Sequence, residues 1–95
     1  MGMILTTKLC ELKALAMELY PWFDVDKVKS YAVYVWTKDE EHFLGENVFD
    51  IYPDRLQFYT CHTSWVIPNE AMPIIKKIQD KLMEIENYLG GLTNE

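Results

Sequence analysis

Between Tyr31 and Cys61 the chain holds three short runs in which side-chain character alternates: residues 31–36 (YAVYVW), 48–52 (VFDIY) and 56–61 (LQFYTC). A period of two marks extended strands, because successive side chains leave opposite faces of a sheet. One face collects Val33, Val35, Phe49, Ile51, Leu56 and Phe58, all suited to a dry core. The other collects Ala32, Tyr34, Trp36, Val48, Asp50, Tyr52, Gln57, Tyr59 and Cys61. An antiparallel strand with one wet face ordinarily shows Lys, Thr, Glu or Ser there. Tyrosine and tryptophan instead suit places where a ring is covered and its polar tip is wet.

Two helical patterns flank these runs. Leu5, Leu9, Leu12, Ala16 and Leu19 recur at spacings of three and four, with Leu15 beside them, which predicts an amphipathic helix over about 6–19. Thr6 or Thr7 caps its start, and Pro21 stops it by forcing Tyr20 out of the helical region. Ala71, Ile75, Ile78, Leu82, Ile85 and Leu89 predict a second helix over about 70–89, with Asn69 as its cap and Gly90-Gly91 as its end. Pro73 falls near its first turn.

The connections are read from turn chemistry. Pro21 to Asp26 is a connector whose Trp22 and Phe23 close the end of the core. Thr37 to Asn47 is a polar link, and Pro53-Asp54-Arg55 is a tight turn that makes the last two strands an antiparallel hairpin. The expected architecture is α+β: helix, three-stranded antiparallel sheet, helix, in a single two-layer domain with both helices on the Val33–Phe58 face. Trp65-Val66-Ile67 is available as a fourth short strand. Ninety-five residues suffice for one such core without staples.

Composition narrows the partners. The net charge is −6, and the stretch from Lys38 to Asp54 holds six acids and one lysine, a local −5. Direct nucleic-acid binding is disfavoured, since that affinity rests on Lys and Arg at phosphates. An anionic membrane surface is disfavoured for the same reason, and no stretch is long enough to span a bilayer. The chain opens without a basic signal-type region. Gly2 with Thr6 fits the loose myristoylation pattern, but the preferred expectation is that Met3 is the natural start. Cys10 and Cys61 have neither metal-type nor redox-type spacing, which suggests a reducing cytoplasm.

No residue pattern assigns a catalytic centre, a cofactor or a metal. Cys61-His62 is adjacent on one run, so the two side chains diverge rather than form a nucleophile–base pair. Asp39, Glu40, Glu41 and His42 lack the spacing of a metal loop and suit a solvated tip. Asp50 lies among tyrosines, as a polar anchor for their hydroxyls or as a lone general base. The leading expectation is a non-enzymatic protein-binding or self-associating module that uses Tyr34, Trp36, Asp50, Tyr52, Gln57 and Tyr59, with a protein partner or a homodimer. One alternative is a small enzyme or ligand-binding protein with a pocket near Asp50, Tyr52 and His62. Another is an acidic charge mimic that inhibits a nucleic-acid-binding protein.

The segment from Trp65 to Lys77 (WVIPNEAMPIIKK) resembles segments in small uncharacterised accessory proteins of phages and prophages of Gram-positive bacteria. The resemblance brings no active site or ligand. It implies a small cytoplasmic protein of mobile DNA that acts by binding other proteins.

Overall fold

The computed structural model describes residues 2–38, 47–59 and 67–93. In chain order these form α1 (Gly2–Met17), β1 (Asp24–Val28), β2 (Val33–Trp36), β3 (Asn47–Ile51), β4 (Leu56–Phe58), a 3-10 turn (Asn69–Ala71) and α2 (Met72–Thr93). The strands make one antiparallel sheet in the order β1-β2-β3-β4. The expected α+β order holds, with four strands in the sheet.

One strand of the sheet was not expected from the sequence. It is β1, which begins inside the segment read as a connector and runs past it to Val28, and it pairs with β2. Ile67 lies outside any strand and packs against the core; Trp65 and Val66 lie outside the described residues. Asp24-Val25-Asp26-Lys27-Val28 shows no period of two, and the pairing explains why. Val25 opposes Val35 and Lys27 opposes Tyr34, so Asp26 is an extra, bulged residue. The bulge turns Val25 and Val28, three apart, toward the same side.

A second irregularity lies in β3. Val35 opposes Phe49 and Trp36 opposes Asn47, which leaves Val48 without a partner on β2. Simple alternation places Val48 with Asp50 on the tyrosine face. The bulge overturns this: Val48 is buried in the core cluster, and Asn47 takes the tyrosine face in its stead.

Around these bulges the sheet runs in registered rows. Val25, Val35, Phe49 and Phe58 form one row, and Val28, Val33, Ile51 and Leu56 form another. Their central members are fully buried, whereas Leu56 is half-buried and Phe58 is 49% exposed at the edge. Phe58 therefore departs from the dry-core expectation; it leans on Phe49 with ring centroids 5.5 Å apart. Phe23 meets Phe49 edge to face at 5.5 Å, and Trp22 packs against the same cluster, so these two rings close the core as expected.

Leu12, Ala16 and Leu19 from the first helical region join Ala71, Ile75, Ile78, Leu82 and Ile85 in the cluster with Val33, Val35, Phe49 and Ile51. The helix–helix seam carries charge at its rim. Lys8 Nζ donates to Glu84 at 2.7 Å, Lys81 Nζ donates to Glu84 at 3.1 Å, and Lys81 also lies 3.6 Å from Glu11. The bonds from Lys8 and Lys81 hold the Glu84 carboxyl below its ordinary range.

The helix ends differ from the expected caps. α1 stops at Met17 and unwinds through i→i−3 bonds, and the Leu19 carbonyl then accepts from the amides of both Trp22 and Phe23. Asn69 makes no cap: Pro68 precedes a 3-10 turn without a side-chain cap bond, and Pro73 occupies the first turn of α2. Gly90 and Gly91 do not end α2, which continues through Thr93. Glycine favours a helix end but does not compel one; within a helix it costs about 1 kcal/mol relative to alanine.

Candidate functional site: the tyrosine face and the cleft beside it

The face opposite the core is built on a third row, Lys27, Tyr34, Asp50 and Gln57, one residue from each strand. Period-two alternation brings Tyr34 and Trp36 to this side, and the β3 bulge adds Asn47. Asp50 lies at the centre and is only 3% exposed. A buried carboxylate is costly unless hydrogen-bonded, and this one is. Tyr59 donates its hydroxyl to Oδ2 at 2.7 Å, and Asn47 Nδ2 donates to Oδ1 at 3.1 Å. The same Asn47 amide reaches the Val35 carbonyl at 2.9 Å, tying the bulge to β2. Tyr59 is positioned for its bond because its backbone amide still donates to the Val48 carbonyl at 3.2 Å, one residue beyond β4.

Both tyrosines of this face hold their protons. The Tyr59 phenol is pushed up to about 12 by its bond to Asp50, then by burial and by the nearby charges of Asp50 and Tyr52. Tyr34 donates to the Tyr31 hydroxyl at 3.5 Å; that bond, burial and the neighbouring Tyr31, Tyr52 and Asp50 push it up to about 12 as well. At neutral pH these are donors, not phenolate nucleophiles or bases. Asp50, with both oxygens engaged, acts as an acceptor that fixes the face.

The structure thus brings Tyr34, Asp50, Gln57 and Tyr59 together around one carboxylate. Trp36 is half-buried at the next position of β2, opposite Asn47. Tyr52 sits just past β3, in the turn closed by its amide bond to the Arg55 carbonyl at 2.9 Å. There the Arg55 guanidinium lies over the Tyr52 ring, 4.3 Å from its centroid. Cys61, His62, Asp39, Glu40, Glu41 and His42 lie outside the described residues. Among the described residues no group of three or more His, Cys, Asp or Glu side chains is placed to hold a metal.

The alternative pocket near Asp50, Tyr52 and His62 includes His62, which lies outside the described residues; among the described residues Tyr52 lines a cleft at one end of the sheet. The turns after β1 and β3 lie at the same end of the sheet, because Val33 at the start of β2 opposes Ile51 at the end of β3. These turns and the C-terminal half of α2 enclose a cleft of about 460 Å³. Tyr31, Tyr52, Arg55, Met83, Glu86 and Leu89 are among its lining residues; Asp50 is not. Asn47, Tyr31 and Arg55 are the residues that sequence reasoning passed over. Asn47 joins the site only through a bulge that no local pattern announces. Tyr31 and Arg55 belong to turns whose proximity depends on strand register.

Among the described residues no helix is long and apolar enough to cross a membrane. No protein-family model, curated protein or solved structure matches this chain.

Proposed function

We propose that this protein is a small non-enzymatic, cytoplasmic binding module, an accessory protein of the phage type, that associates with itself or with another protein through its tyrosine face. The observation that carries this reading is the buried Asp50 holding Tyr59 by its hydroxyl while the residue stays 38% exposed. A ring fixed in this way offers broad amphipathic contact area at little further entropy cost, which is what interface tyrosines supply. Tyr34, Trp36 and Tyr52 extend the half-covered surface, and Gln57 gives it an exposed amide at the rim. A face of this kind pairs with a copy of itself about a two-fold axis, each ring meeting the partner's surface.

The test is solution mass by light scattering over a range of concentrations, on the natural chain and on the Tyr34→Ser/Trp36→Ser double variant. The natural chain is expected to reach twice its monomer mass, and the variant to remain a folded monomer by circular dichroism. A dimer that survives the double substitution eliminates the tyrosine face as its interface. A natural chain that stays monomeric to millimolar concentration eliminates self-association and leaves a different protein as the partner.

A further inference from the structure

We propose that the cleft between the two hairpin turns and α2 is a second interaction site, one that receives an arginine or lysine side chain of a basic peptide segment. The argument rests on which charges in the cleft are already committed. Its lining holds one cation, Arg55, which bonds Asp54 at 3.0 Å and covers one side of Tyr52. An anionic ligand would meet no uncommitted cation. Glu86, by contrast, is exposed on α2 and has no ion-pair partner among the described residues. Tyr31 is 55% exposed and lines the same cleft.

A carboxylate and an open aromatic ring lining one cleft are a setting for a guanidinium or ammonium group. The cleft already contains one example of the contact, since Arg55 lies over Tyr52 with cation–π geometry. Met83, partly exposed, and Leu89 add an apolar wall for the aliphatic stem or a neighbouring side chain. The volume, about 460 Å³, falls within the range of small-ligand sites and exceeds what one side chain needs. The chain's net charge of −6 draws basic segments toward it from a distance.

The probe is the capped peptide acetyl-Leu-Arg-Leu-Arg-amide. Its control replaces each arginine with citrulline, a neutral group of the same shape. Both are titrated into the isotopically labelled full chain while backbone amide shifts are followed. Saturable shifts are expected at Tyr31, Arg55, Met83 and Glu86, with the citrulline peptide about tenfold weaker. Glu86→Gln and Tyr31→Leu should each weaken binding roughly two- to fivefold. Both side chains are exposed, and the same spectra report whether each variant is folded. No saturable shift, equal affinity for both peptides, shifts centred elsewhere, or unchanged affinity in Glu86→Gln would each overturn the proposal. Tyr34 donates to Tyr31 of the cleft lining, so the variant that separates the two sites is Trp36→Ser alone, which replaces no lining residue and keeps that bond; it should bind the peptide as the natural chain does.

Discussion

The two faces of the sheet use the same strands and reach rigidity by opposite means. On one, Val33, Val35, Phe49 and Ile51 are completely withdrawn from water, and stability comes from apolar area and close packing. On the other, Tyr34, Asp50 and Gln57 span the neighbouring register, and order comes from a carboxylate satisfied by a tyrosine hydroxyl and an asparagine amide. The dry face tolerates loss of volume poorly. The wet face tolerates loss of volume but not loss of its acceptor. A surface meant to meet a partner needs the second arrangement, because rings held by hydrogen bonds stay ordered without being covered.

Truncation should separate the faces most sharply. Phe49 packs against both Phe23 and Phe58 at full burial. Phe49→Ala should cost about 3–5 kcal/mol in urea unfolding. Phe58→Ala, in the same row but half-exposed, should cost less than half as much. Equal costs would mean that burial does not grade along the row as the register implies.

The next effect concerns the acceptor. Asp50→Ala leaves the Tyr59 hydroxyl and the Asn47 amide without their shared partner and should cost about 1–3 kcal/mol. Tyr59→Phe should cost less, and the double variant should cost less than the two singles added together, because both remove one bond. Strict additivity in that cycle would show that Asp50 stabilises the face by other means.

The last effect is one of pH, weakened by solvent screening at part-exposed tyrosines. Tyr34 and Tyr59 have folded values of about 12 against an unfolded value near 10. The folded state therefore holds these protons more tightly, and stability falls as pH rises. Their contribution is whole below pH 10 and fades between pH 10 and 12. Ultraviolet titration of tyrosinate should show two groups titrating late in the natural chain. In Asp50→Ala one of them should move back toward 10.

How far the sequence could be read depended on how local each signal was. Helix α2 was legible because its stripe from Ala71 to Leu89 repeats without interruption. The β3–β4 hairpin was legible because Pro53-Asp54-Arg55 separates two alternating runs. Strand β1 was not, since a bulge at Asp26 breaks its alternation and charge dominates its composition. Charged, bulged and five residues long, β1 is an edge strand of the kind that resists pairing with other chains.

The candidate site divides in the same way. Tyr34, Trp36, Gln57 and Tyr59 fall on one face by period alone, and Asp50 among them was recognisable as an anchor for hydroxyls. That Asn47 completes the anchor, that Val48 crosses to the core, and that Tyr31 and Arg55 border one cleft were settled only by the tertiary structure. Alternation and helical period are properties of neighbouring residues, so the sequence carries them directly. A bulge and a cleft arise from how separate strands are registered against one another and where a distant helix lies across their ends, and no single segment contains that information.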